Sequence, residues 1–184
     1  FQYVKMRFLS KILYAFLIMI YFSSNTLGVE NLYVLNDLGI NNLYFKAKKN
    51  ISSPQIEIIK DVRGIVLRFK LQNSARECEY LSQNTIKNLH YISKFLEKIP
   101  NPVIIEVHTK LQKCTNPRLK NWEISTIIAN SIEDTILQSC GKIKKDRLYS
   151  VGYGEFLPAK STLNNVDTFF DRVDIIILCS INGE

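Results

Sequence analysis

An ordered change of hydrophobic periodicity after Ile56 constrains the fold more than any other feature of the sequence. Apolar residues first alternate with polar ones, which indicates a strand with one buried face. They then recur every three or four residues, which indicates a helix with one buried side. The same two patterns follow again, and two more strand-like segments close the chain. The predicted elements are a strand at Ile65–Leu71, a helix through Ile86 to Ile99, a strand at Val103–His108, a helix from Asn121 to Gly141, and strands at Leu148–Tyr153 and Val173–Ile181.

Residues at the predicted helix ends agree with this division. Pro100 and Pro102 end the first helix because proline lacks a backbone N–H and clashes with the preceding turn. The second helix begins near Asn121, a favourable capping residue, and Glu123 lies where the helix dipole favours a carboxylate. Gly141 is typical of a helix C-terminus. The order β-α-β-α-β-β predicts an α+β sandwich with two helices packed on one face of a mixed sheet.

The N-terminal segment is typical of a protein that is exported. A basic stretch precedes the apolar run Ile12–Phe22, whose length suits a signal-peptide core and falls short of the roughly 20 residues of a membrane span. Small residues favour cleavage after Gly28, and an uncleaved anchor is the alternative. We therefore expect residues 1–28 to be a signal peptide or N-terminal membrane anchor, residues 29–55 a linker with at most a short strand, and residues 56–182 one periplasmic or membrane-associated domain.

Charge and cysteine content argue against several classes of function. The net charge is +7, but basic and acidic residues are interspersed, and no aromatic residues interleave with basic ones as in a nucleic-acid groove. We therefore expect no nucleic-acid partner, and membrane contact only through the N-terminal segment. The four cysteines lie far apart, without a Cys-x-x-Cys pair for metal or redox chemistry. The sequence leaves open which of them, if any, form a disulfide.

Catalytic motifs are not evident in the sequence. Its two histidines are His90 and His108, and we find no cysteine, histidine or carboxylate at ligand spacing beside His108. No Gly-x-Ser-x-Gly nucleophile motif occurs. The pair Gly152 and Gly154 lacks the third glycine of a dinucleotide-binding loop. These observations predict a binding module that is not an enzyme and has no metal or cofactor.

Four segments of the sequence form a recognisable set. They are VIIEVHTK at Val103 to Lys110, NWEISTIIANSI at Asn121 to Ile132, RLYSVGYGEFLPA at Arg147 to Ala159, and DRVDIII at Asp171 to Ile177. Together they resemble the OmpA-like C-terminal domain family, which includes Pal and MotB. Their wording is closest to the MotB-like branch, and the likeness extends from about Ile56 to Ile181.

This resemblance implies a peptidoglycan-associated protein of the cell envelope, in the periplasm or at the outer membrane, that binds the peptidoglycan stem peptide. In the family, an aspartate holds the ammonium of the diaminopimelate end group and an arginine holds its carboxylate. Here Lys110 stands in place of that aspartate, and Ile128 in place of that arginine. The resemblance and these departures together predict weak or atypical binding at His108, Thr109, Lys110, Asn121, Ser125 and Arg172.

Three hypotheses remain open from the sequence. The pocket binds cell wall through backbone groups at His108 and Thr109, with Asn121 and Arg172. Alternatively, Lys110 and Arg172 form a cationic pocket for a carboxylate of a different or modified muropeptide. In the third hypothesis the domain has lost peptidoglycan binding and serves as a structural or protein-interaction module, with other envelope proteins as partners.

Overall fold

The computed structural model describes residues 38–71, 81–110, 119–156 and 171–179. The predicted signal peptide or anchor at residues 1–28 lies outside these ranges. Among the helices within them, none is both long and apolar enough to span a membrane.

Three α-helices and five strands make up the described part of the chain. The first helix, α1, covers residues 38–50. The other elements are β1 (Glu57–Asp61), β2 (Gly64–Lys70), α2 (Gln83–Leu96), β3 (Val103–His108), α3 (Asn121–Ser139), a 3-10 turn (Lys145–Arg147), β4 (Leu148–Gly154) and β5 (Arg172–Leu178).

The strands form one mixed sheet in the order β1-β2-β5-β3-β4. Strands β3 and β4 run parallel, and all other neighbours run antiparallel. The last strand in sequence, β5, therefore lies at the centre between β2 and β3. In this register Glu106 pairs with Asp174, and His108 pairs with Arg172. Side chains that are distant in sequence are thereby brought together on one sheet face.

One face of the sheet forms the hydrophobic core with the helices. Alternate residues of the three central strands point into it, as their period of two requires. Helices α2 and α3 contribute apolar stripes, and α1 adds Ile40, Leu43 and Ala47. The buried strand residues are Ile65, Leu67, Phe69, Val103, Ile105, Val107, Val173, Ile175 and Ile177, and the main helix residues are Leu89, Ile92, Ile124, Ile128, Ile132 and Ile136.

The α+β class, the mixed sheet and the four predicted strands are confirmed, with small shifts at their ends. The last strand ends at Leu178, and residues 180–181 of its predicted range lie outside the described residues. Two elements were not predicted from the sequence. Residues 38–50 were placed in a linker with at most a short strand, yet they form helix α1 and bury three residues in the core. Strand β1 is the other, and it forms a hairpin with β2. The boundaries at residues 28, 55 and 182 stay a prediction.

Helix α3 begins one residue from its predicted cap. Lys120, not Asn121, occupies the capping position, and its backbone N donates to Glu123 Oε2 at 2.7 Å. The first-turn carboxylate thus satisfies a backbone donor just outside the helix while complementing the helix dipole. The predicted role of Glu123 at the start of the helix is retained.

Candidate functional site

Gly154, the last residue of β4, hydrogen-bonds both to the residue that follows β3 and to the first turns of α3. Its carbonyl accepts from Thr109 N at 2.9 Å, and its N–H donates to Ser125 Oγ at 2.8 Å. Gly154 has φ +57°, and a Cβ there would lie 2.7 Å from Trp122 N. Both the left-handed backbone and the close approach of the helix require glycine. This junction fixes the relative positions of Thr109 and Ser125.

A carboxylate from a different part of the chain meets this junction. Asp171, immediately before β5, accepts at Oδ1 from Thr109 Oγ1 at 2.7 Å and from Lys110 N at 2.9 Å. Residue 110 is where the family resemblance leads one to expect an aspartate. The structure therefore brings a carboxylate to the backbone of that position, although the side chain at 110 is a lysine.

A second carboxylate lies near the first turn of α3. Asn121 Nδ2 donates to Glu155 Oε2 at 3.3 Å. Two aromatic residues of this region, Trp122 and Phe156, are exposed to solvent. We call the surface around Thr109, Asp171, Asn121 and Glu155 the corner site. It is formed next to the ends of β3 and β4 and at the starts of α3 and β5. Glu155 is exposed there, whereas Thr109 is buried.

Ile128 does not belong to the corner site. Its side chain is fully buried in the core cluster on the inner side of α3. An arginine at this position would have to leave the apolar stripe of the helix to reach a ligand. Ile128, which stands where the resemblance leads one to expect an arginine, is therefore a core residue in the structure.

Arg172 lies on the sheet face opposite the helices, in a buried ionic cluster. Its Nε donates to Asp174 Oδ2 at 2.9 Å. Arg68 donates two hydrogen bonds, of 2.7 and 2.9 Å, to the same carboxylate. Burial alone would raise the pKa of Asp174, but the hydrogen bonds and charges of Arg68 and Arg172 outweigh it and hold that pKa below its ordinary value. Arg172 is therefore already committed to an internal carboxylate.

His108 lies in the same buried cluster, stacked on Tyr153 with ring centroids 5.0 Å apart. Its Nδ1 contacts Phe156 O at 3.3 Å. Its Nε2 lies 3.9 Å from Glu106 Oε2 and 4.0 Å from Asp174 Oδ2. The sequence reading that no carboxylate stands at ligand spacing beside His108 is wrong, because Glu106 lies two residues away on the same strand face.

The six predicted ligand residues therefore fall into two groups. Around the corner site lie Thr109, Lys110, Asn121 and Ser125, whereas His108 and Arg172 direct their side chains into the buried cluster. Sequence reasoning missed Asp171 and Glu155 as site residues. Each stands within a segment that resembles the family, but nothing local distinguishes them from other surface carboxylates.

Solved structures share this arrangement of strands and helices. A putative MotB-like protein from Desulfovibrio vulgaris matches 82% of this chain and 98% of its own, with a TM-score of 0.64 and 19% identity. The periplasmic domain of Helicobacter pylori MotB matches 71% of this chain and 84% of its own, with a TM-score of 0.57 and 16% identity. The domain has the OmpA-like fold of MotB.

Two further proteins are similar to this chain, one in structure and one in sequence. The cell wall anchor of the T6SS from Pseudomonas aeruginosa has the same fold, with a TM-score of 0.57 and 17% identity over 75% of this chain and 97% of its own. By sequence, this chain is similar to the uncharacterized protein YtxE of Bacillus subtilis (strain 168), with 30% identity over 134 residues. That alignment covers 71% of this chain but spans only about half of YtxE, 54% of its length. No protein-family model matches the sequence.

Proposed function

We propose that the OmpA-like domain is a non-catalytic module of the cell envelope that binds the peptidoglycan stem peptide at the corner site. Two proteins that share its fold are described as a periplasmic domain of MotB and a cell wall anchor. The observation that supports this binding best is the Asp171 carboxylate, held 2.7 Å from Thr109 Oγ1 and 2.9 Å from Lys110 N.

The chemistry of the corner site suits a zwitterion such as the diaminopimelate end group. In this proposal Asp171 takes the ligand ammonium, replacing the aspartate that is missing at position 110. The exposed Lys110 side chain receives the ligand carboxylate, and Asn121 in the first turn of α3 lines the same surface beside Glu155. Each ligand charge then meets an opposite charge or a donor, which is what makes such pairs selective.

Of the three hypotheses from the sequence, our proposal is nearest to the first, but it replaces Arg172 with Asp171. The first hypothesis relied on Arg172, whose guanidinium bonds with Asp174 in the buried cluster. The cationic-pocket hypothesis is weakened because Asp171 and Glu155 both place carboxylates at the corner site. Asp171 takes the place of Arg172 as the charged residue on which the proposal depends.

The proposal is tested by co-sedimentation of the full chain with isolated diaminopimelate-type sacculi. Asp171→Asn keeps an oxygen that can accept from Thr109 and Lys110 but removes the charge. Loss of a charge-assisted hydrogen bond of about 1.5–3 kcal/mol should weaken binding by roughly 10- to 100-fold. Asp146→Asn is the matched control, because Asp146 is an exposed carboxylate in the 3-10 turn, and it should bind like the unmodified protein.

Two results would count against this proposal. Equal binding by the Asp171→Asn and Asp146→Asn variants would place the ligand elsewhere. No binding by the unmodified, folded protein would favour the interaction module, with other envelope proteins as its partners. The proposal also includes export through residues 1–28, which N-terminal sequencing of the exported protein tests, with a start at residue 29 expected.

A further inference from the structure

The buried cluster on the sheet face opposite the helices contains a histidine nitrogen without a hydrogen-bond partner. His108 is 2% exposed, and its Nε2 is the one buried side-chain N or O atom in the described residues that has no partner. An unpaired buried polar atom is costly, so it calls for an explanation. Two carboxylate oxygens, Glu106 Oε2 and Asp174 Oδ2, lie 3.9 and 4.0 Å from Nε2.

The other ring nitrogen determines what Nε2 offers. Nδ1 faces the carbonyl oxygen of Phe156 at 3.3 Å, and a carbonyl only accepts, so the proton of the neutral ring belongs on Nδ1. Nε2 then carries a lone pair directed toward two carboxylates. A histidine that ligates a metal commonly donates its second N–H to a backbone carbonyl in this way.

We propose that Glu106, His108 and Asp174 bind a divalent transition-metal ion of the zinc class. One atom from each side chain lies within 4.8 Å of the other two, and all three residues are buried. Imidazole and carboxylate together suit borderline ions such as Zn²⁺. Bonds of 2.0–2.2 Å in tetrahedral geometry separate ligand atoms by roughly 3.3–3.6 Å, so the observed 3.9 and 4.0 Å would close by about half an ångström.

Three arginines orient the carboxylates and limit the affinity. Arg63 Nη1 binds Glu106 Oε1 at 3.0 Å, which leaves Oε2 on the His108 side. Arg68 and Arg172 both donate to Asp174 Oδ2, so the ion competes with them for this atom. Their positive charges oppose the ion. The site is therefore expected to bind Zn²⁺ reversibly, and weakening an arginine charge should tighten it.

The experiment titrates Zn²⁺ into the full chain against a chromophoric chelator, with cysteine thiols blocked by alkylation. The unmodified protein should bind one Zn²⁺ with a nitrogen-and-oxygen X-ray absorption signature. His108→Gln should weaken binding at least about tenfold. His90→Gln is the matched control, since His90 is the chain's other histidine and lies exposed on α2; it should bind normally.

Two further variants guard against misfolding and adventitious binding. Glu106→Gln keeps the shape and an acceptor for Arg63, so its circular dichroism should be unchanged while Zn²⁺ binding falls. Arg63→Gln removes a charge at the rim and should tighten binding by roughly three- to tenfold. Absence of Zn²⁺ binding by the unmodified protein, or equal binding by the His108→Gln variant, would overturn the proposal. Neither result bears on peptidoglycan binding, which is measured separately with sacculi.

Discussion

The two faces of the central sheet are both buried at their centres, but only one of them buries charged side chains there. The helix-covered face is apolar across the three central strands, with Ile105 and Ile175 fully buried. On the other face lie Glu106, which follows Ile105, and Asp174, which precedes Ile175, and both are almost as inaccessible. We call this second face the charged face. One face is stabilised by removing apolar area from water. The other depends on charges that must stay paired, because an unpaired buried charge is costly.

The largest effect is expected where the apolar face is made charged. Ile128→Arg places a guanidinium at a position with no solvent exposure and should lower the free energy of unfolding by about 4 kcal/mol or more. The matched control is Ile127→Arg on the adjacent, partly exposed position of α3. Urea unfolding followed by circular dichroism measures both. Equal losses would mean that the side of α3 facing the sheet is not a closed core.

The next largest effect is expected at the centre of the charged face. Asp174→Ala leaves Arg68 and Arg172 without their shared carboxylate and should destabilise the protein by about 3–5 kcal/mol. Asp61→Ala removes a carboxylate at the rim, where the Arg63 partner is 44% exposed, and should cost at most about 1 kcal/mol. Denaturant midpoints of the two variants give the comparison. Similar midpoints would show that water reaches the centre of this face.

A third prediction tests how closely α3 approaches the sheet. A Cβ on Gly152 would lie 2.2 Å from Thr126 N and 2.6 Å from the Ser125 carbonyl carbon, so backbone would have to move. Gly152→Ala should therefore cost about 1–3 kcal/mol through overpacking. Nothing lies within 4 Å of a Cβ on Gly141, which makes Gly141→Ala the control, with little change in thermal midpoint. A mild Gly152→Ala variant would mean that the helix is free to shift.

The smallest effect concerns the rim of the charged face at low pH. Burial acts to raise the pKa of Asp61, but hydrogen bonds and charge from Arg63 hold it below its ordinary value. A carboxylate with a depressed folded-state pKa stabilises the fold above its unfolded pKa, and this stabilisation is lost as pH falls below about 4. For so exposed a pair we expect less than about 1 kcal/mol.

Unfolding free energies measured from pH 7 to pH 3 check this last prediction. The difference between the unmodified protein and the Asp61→Asn variant should shrink toward zero over the acidic end of that range. Other carboxylates titrate in both proteins, so they largely cancel in the difference. A gap that stays constant with pH would show that Asp61 acts through its shape rather than its charge.

The sequence by itself determined the segments that alternate and the segments that repeat at helical spacing. Both patterns follow from side-chain geometry within one element, so the strand at β2, the stripe of α3 and the α+β class could be predicted without tertiary information. Lys110 and Ile128 could likewise be recognised as departures from the family pattern. Helix α1 escaped prediction because its segment is polar and mixed, and its three buried residues become a core only against their partners.

Tertiary structure alone decided what the ends and faces of those elements do. Insertion of β5 between β2 and β3 brings Asp171 to the backbone of Lys110, 61 residues earlier in the chain. The same insertion places Asp174 beside Glu106 and His108. Pairing of strands distant in sequence depends on the whole sheet, and no local periodicity encodes which strands become neighbours. The corner site and the buried cluster are therefore products of strand order, built on elements that the sequence had already specified.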